Sequence, residues 1–183
     1  MTIVTNRRGA GAAGAMAAAA LMLATAGAAA AQDGGLRAHA TLHDRSGNVV
    51  GEADFAETPT GLLVTARLSG LPAGTHAFHL HAAGRCESDF KSAGGHFNPD
   101  GAQHGFFSEE GPHAGDMPNI HVPADGKLTV EVFLPEQLLV GHDGLLDEDG
   151  AALVIHEGPD DYRSQPSGAA GGRIACGVIE EVR

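Results

Sequence analysis

From residue 36 onward the chain is a series of short runs in which apolar and polar residues alternate, separated by Gly, Pro, Asp and Asn. No stretch there keeps a helical period. The runs over 36–43, 49–57, 62–68, 75–81, 127–134, 152–156 and 173–180 read as strands, with turn chemistry such as Ser46-Gly47-Asn48, Pro72-Ala73-Gly74 and Asp125-Gly126 between them. Many short strands at this spacing predict an all-β fold, a Greek-key β-sandwich or flattened barrel of about eight antiparallel strands. The alternation stops between His81 and His121, and again from Gly158 to Gly172, where Gly, Pro and polar residues dominate. Two long functional loops are expected there. A loop as long as the first needs something to order it, and function tends to sit on such loops over a rigid scaffold.

The first loop and its flanking strands carry unusual chemistry. Six histidines and one aspartate fall as His79-x-His81, His96, His104, His113-x-x-Asp116 and His156. Period-two alternation puts His79 and His81 on one face of a strand and Phe78 and Leu80 on the other. His156 ends the apolar strand Leu153-Val154-Ile155, whereas His96, His104, His113 and Asp116 come from the loop. Neutral imidazoles suit copper and zinc, and three histidines with one carboxylate make a closed tetrahedral zinc set. Seven ligands leave two four-coordinate metals one short unless a histidine is shared, bound through each ring nitrogen as an imidazolate.

Composition places this chemistry outside the cytoplasm. Arg7-Arg8, an Ala/Gly-rich stretch around Met16, Leu21, Met22 and Leu23, and the small-residue site Ala29-Ala30-Ala31 predict a signal peptide over 1–31 that is removed, leaving a domain over 32–183. No lipoprotein cysteine follows, so a periplasmic or secreted protein without stable membrane attachment is expected; the export route stays open. Without Arg7 and Arg8 the chain holds 9 basic and 23 acidic residues, a net charge of -14 with histidines neutral. That balance excludes phosphate contacts of the kind nucleic-acid binding needs. An anionic ligand requires a local positive exception. Cys86 and Cys176, the only cysteines, read in an exported chain as one disulfide, with two buried thiols as the alternative.

The segments Phe78-His79-Leu80-His81, Ala93-Gly94-Gly95-His96-Phe97-Asn98-Pro99, His113-Ala114-Gly115-Asp116 and Gly171-Gly172-Arg173-Ile174-Ala175-Cys176-Gly177-Val178-Ile179 resemble those of the copper/zinc superoxide dismutases, in order and with compatible spacing. The resemblance implies one copper on His79, His81, His96 and His156 and one zinc on His96, His104, His113 and Asp116, with His96 shared. It implies that Asp160 accepts hydrogen bonds from His79 and His104, that Arg173 stands beside copper to receive a small anion, and that Cys86 pairs with Cys176. The activity implied is conversion of superoxide to dioxygen and hydrogen peroxide, with alternate reduction and reoxidation of copper and a proton carried by His96. Arg85 and Ala169 depart from the family pattern, the latter where asparagine or glycine is usual. The loop before Arg173 is short and lacks a steering lysine, for which Arg163 would have to stand in; Lys91 could contribute from the first loop but reads better as a solvated surface charge. His39, His43, His76, His121 and His142 have no place in the ligand pattern and read as structural or surface residues. A non-catalytic copper/zinc-binding or copper-buffering protein on the same fold is the alternative, and a module holding zinc alone is a third reading; an intact ligand set with Arg173 argues for the enzyme. Pairing as a homodimer is left open.

Overall fold

The computed structural model describes residues 35–182; the expected signal peptide lies outside them. Among the described residues ten strands, every pairing antiparallel, carry the fold: β1 (Arg37–Asp44), β2 (Val49–Thr58), β3 (Gly61–Leu68), β4 (Gly74–His76), β5 (Phe78–His81), β6 (Ile120–Val122), β7 (Leu128–Pro135), β8 (Ala152–His156), β9 (Arg173–Val178) and β10 (Glu180–Glu181). The main sheet runs β5-β8-β9-β1-β2-β3-β7, with β10 on β1, while β4 and β6 form a separate pair. The β7 to β8 connection crosses from one end of this order toward the other, as a Greek key requires. No helix among the described residues is long and apolar enough to cross a membrane.

Alternation builds the core. On β3, Leu62, Val64, Ala66 and Leu68 are buried and stand opposite Leu134, Val132, Val130 and Leu128 of β7. These side chains join Leu42, Phe55, Phe78, Leu80, Leu153 and Ile155 in one apolar cluster. Each fully buried Leu or Phe contributes roughly 1.5–3 kcal/mol. Strand β8 departs from alternation, since all five of its residues are buried. Leu153 and Ile155 face the main core, whereas Ala152 and Val154 pack on the other face against Phe90, Ala93 and Cys176. A strand covered on both faces reads as a continuous apolar run for that reason.

The run expected over 75–81 is broken at Ala77. Its N–H donates to Gly158 O (2.8 Å) and its carbonyl accepts from His156 N (3.0 Å), so this residue leaves the ladder and ties β4–β5 to the second loop. The first loop is ordered through its main chain. Leu80 N donates to Gly115 O (2.9 Å), Phe97 N to Leu80 O (2.9 Å), Gly115 N to Phe97 O (2.8 Å) and Ala82 N to Gly95 O (3.0 Å). The loop thus covers the free edge of β5, which an exposed sheet would otherwise leave as a pairing template. A Cβ at position 115 would press on the Leu80 carbonyl at 2.5 Å, so the docking needs glycine there. A Cys86–Cys176 disulfide pins the loop to β9.

Candidate metal centre

The ladder fixes three histidines. His79 and His81 stand opposite Val154 and Ala152, on the face away from the core, while their neighbours Phe78 and Leu80 oppose Ile155 and Leu153. The same parity along β8 brings His156 to that outer face. A register shift between Ile155 and His156 then matters: Ala175 pairs with Ile155, but Arg173 pairs with His156, and Ile174 is the extra residue. Ile174 packs toward the core alongside Ala175. Two successive inward side chains flip the parity of the strand, as a β-bulge does, and Arg173 arrives beside His156.

The donor atoms form two groups, His79/His81/His96/His156 and His96/His104/His113/Asp116, in each of which all ligand atoms lie within 4.8 Å of one another. All seven residues are buried. Their outer hydrogen bonds set the tautomers. His79 Nε2 donates to Asp160 Oδ2 (2.8 Å), and His81 Nδ1 donates to Gly94 O (3.0 Å). The remaining nitrogens turn inward: His81 Nε2 lies 3.3 Å from His156 Nε2, and His79 Nδ1 and His96 Nε2 have no hydrogen-bond partner among the described residues.

On the other side of His96 the pattern repeats. His104 Nε2 donates to Asp160 Oδ1 (3.0 Å), leaving an unprotonated Nδ1 that faces Asp116 Oδ1 at 3.0 Å, acceptor to acceptor. His96 Nδ1 lies 2.7 Å from the same oxygen, and His113 Nδ1 lies 3.4 Å from both His96 Nδ1 and Asp116 Oδ1. Four donors around zinc at ~2 Å stand about 3.3 Å apart, which this set approaches. Three ring nitrogens and a carboxylate converging this closely in a buried site, with His104 Nδ1 left unprotonated, fit a bound cation. His96 presents Nδ1 to one set and Nε2 to the other, which is the geometry of a shared ligand.

Electrostatics agree with this arrangement. Burial pushes His81 well below its ordinary value and His156 down to about 3, with the neighbouring cation Arg173 and the His79 ring adding to the respective shifts. Burial also lowers His79 and His113. Neutral imidazole is the ligand form. Burial acts to raise Asp116 and Asp160, but hydrogen bonds win. His96 and the Gly105 N–H hold Asp116 well below the usual carboxylate range, and His79 with His104 hold Asp160 at about 2.

Asp160 thus lies between His79 and His104, accepting from both rings. Gly168 lies against it with φ +68°, and a Cβ there would overlap the Asp160 carboxylate. Arg173 is half-buried, and its terminal nitrogens donate to Phe90 O (2.6 Å) and Gly94 O (2.5 Å), the latter shared with His81. The two cations considered for steering are engaged elsewhere: Arg163 stacks 4.7 Å over the Phe107 ring, and Lys91 Nζ lies 2.7 Å from Asp89. Arg45 Nε instead donates to the Arg173 carbonyl at 2.9 Å. Ala169 adopts φ 54°, a left-handed conformation that asparagine or glycine tolerates better than alanine. His76 was not legible as part of the site; buried on β4, it places Nδ1 2.9 Å from His156 O and Nε2 2.9 Å from Pro72 O. Asn119, on the Asp160 main chain, was missed too.

A family model described as copper/zinc superoxide dismutase matches residues 49–179. The chain is 51% identical over 148 residues to superoxide dismutase [Cu-Zn] 2 of Aquifex aeolicus, covering 79% of this chain and 86% of that one. It is 43% identical over 146 residues to the superoxide dismutase-like protein YojM of Bacillus subtilis, covering 77% and 74%. A crystal structure of a SOD-like protein from Bacillus subtilis superposes with a TM-score of 0.73 at 41% identity, covering 76% of this chain and 96% of the other. Fold, donor geometry and sequence agree, and the chain belongs to the copper/zinc superoxide dismutase family.

Proposed function

We propose that this protein converts superoxide to dioxygen and hydrogen peroxide, with copper held by His79, His81, His96 and His156 and zinc by His96, His104, His113 and Asp116. The observation that carries the reading is the pair of buried, convergent donor sets joined through the two nitrogens of His96. Copper held by the first set would supply reversible one-electron chemistry, suited to oxidising one superoxide to dioxygen and, with two protons, reducing the next to hydrogen peroxide. Zinc has no redox chemistry, so the second set serves loop order and the electronics of His96.

The protein's own groups bind the anion and move the proton. Arg173 spends two of its five N–H donors on the Phe90 and Gly94 carbonyls. The rest of the guanidinium offers a fixed positive charge and further donors to a small anion beside His156. In a chain of net charge -12 this is the local positive exception an anion requires. His96 Nε2 is placed to hold a proton and deliver it to the reduced product, while Nδ1 stays fixed toward Asp116. The acidic composition, the disulfide and the residues before the barrel support an exported protein, periplasmic or secreted, whose residues 1–31 are removed as a signal peptide.

The complete donor sets give no support to a non-catalytic binding role. Pulse radiolysis on protein whose copper and zinc are quantified in the same sample tests the reading. Two bound metals with no dismutation would overturn it. Arg173→Ala is expected to keep both metals and lower kcat/KM roughly 10- to 100-fold, the scale of electrostatic steering.

A further inference from the structure

Asp160 holds His79 and His104 together from a loop that contains no strand, so its aim depends on whatever fixes its own main chain. That anchor comes from the other loop. Asn119, immediately before β6, donates from Nδ2 to Asp160 O (2.9 Å) and accepts at Oδ1 from Asp160 N–H (2.8 Å). The carboxamide pairs with the Asp160 main chain through one donor and one acceptor. A side-chain amide carries that complement on two adjacent atoms of one plane; an aspartate would set a carboxylate against the Asp160 carbonyl.

A second contact closes the circuit. The Asn119 N–H donates to the Tyr162 hydroxyl oxygen (2.8 Å), and the Tyr162 N–H donates to Asp160 Oδ1 (2.6 Å). Tyr162 is held in turn, since its carbonyl accepts from Phe107 N (3.2 Å) and its ring centroid lies 5.2 Å from that of Phe106. Asn119 has a firm base as well. Its neighbour Ile120 pairs with His76 in the β4–β6 ladder, and His76 lies against the main chain of His156. The small β4–β6 pair thus references both donor sets.

We propose that Asn119 is a positioning residue of the metal centre, which aims the Asp160 carboxylate at His79 and His104 and so governs how tightly both metals are retained. The inference rests on the two metal assignments above. Its partners act through tautomer and ring orientation, a type of contact whose loss typically costs 10- to 100-fold in metal affinity.

The test is a double-mutant cycle on metal-loaded protein with Asn119→Ala, Asp160→Ala and the pair. The readouts are the rates at which EDTA strips copper and zinc, followed by metal analysis, the visible copper absorption, and thermal unfolding of the metal-free forms. Asn119→Ala is expected to speed release of both metals by about tenfold and shift the copper band, and to add nothing once Asp160 is alanine. Additive effects in the two backgrounds, or a lower unfolding temperature with unchanged release and spectrum, would overturn the proposal. If Asn119→Ala does not fold, Tyr162→Phe, which removes only the acceptor for the Asn119 N–H, takes its place in the same cycle. It is expected to give a smaller acceleration that vanishes with Asp160→Ala, and unchanged or additive release overturns the proposal. Wild-type protein that fails to load two metals would instead sink the metal assignments themselves, so the two failures are distinguishable.

Discussion

The two donor sets share His96 yet are built in opposite ways. His79, His81 and His156 sit on adjacent strands whose register fixes them relative to one another. His104, His113 and Asp116 belong to a loop held by main-chain docking on β5 and by the Cys86–Cys176 bridge. A ladder orders its side chains through many cooperative backbone contacts. A Gly- and Pro-rich loop has a larger ordering entropy to overcome, and a metal with four ligands helps to do so. The strand set is therefore prepared for its metal, whereas the loop set and its metal depend on each other.

The sharpest break in this comparison comes from removing one ligand on each side. His81→Ala is expected to abolish dismutation while zinc and loop protection from hydrogen exchange persist. Asp116→Ala is expected to lose zinc and loop protection together, because three buried imidazoles are left without their carboxylate. Equal loss of loop protection in both variants would show that the sets are not independent.

Opening the disulfide with Cys86→Ser/Cys176→Ser comes next. The bridge spans 90 residues, and the chain-entropy model gives about 4 to 5 kcal/mol for such a loop. Denaturant unfolding should show a loss on that scale, and exchange protection should fall more over residues 82–119 than in β5 and β8. Uniform loss would mean that the bridge stabilises the barrel rather than the loop.

Acid should reach the buried imidazoles of the metal-free protein before the carboxylate that holds His79 and His104. His156 is pushed to about 3, below its ordinary value near 6.5, so the unfolded chain binds more protons in between. Stability is then full above about pH 6.5 and declines as pH falls toward 3. Asp160, held at about 2, contributes fully above about pH 4 and loses its contribution as pH falls toward 2. Urea midpoints measured against pH should fall in that order, and a flat profile between pH 6.5 and 4 would contradict the buried neutral histidines.

The smallest effect is a gain. Ala169→Asn, at φ 54°, should raise stability by roughly 0.5–1 kcal/mol because asparagine tolerates the left-handed region better. Thermal unfolding checks it, and no gain would mean that the second loop already relaxes around alanine.

Much of this was legible because it obeys simple periods. Alternation located β1, β2, β3, β7 and β9 to within a few residues, a continuous apolar run located β8, and the His79-x-His81 spacing put two ligands on one face. The three-residue β6 and two-residue β10 are too short to show a period. The break at Ala77 was invisible for another reason: it is made by hydrogen bonds to residues 156 and 158, far along the chain. His76 and Asn119 escaped notice because their role lies in contacts to main-chain atoms, which any residue presents and no motif records.

What the sequence determined by itself is the face on which His79 and His81 appear, since the pleat has a period of two and Phe78 and Leu80 must go inward, whereas the continuous apolar run before His156 leaves its face to the packing on both sides of β8. For Arg173 the same rule gives the wrong side. Parity with Ala175 would send it to the core, and only the extra residue Ile174, packed inward beside Ala175, turns the guanidinium to the metal face. A bulge is set by how two strands meet, not by the residues of one, so the position of that charge was decided by tertiary structure alone.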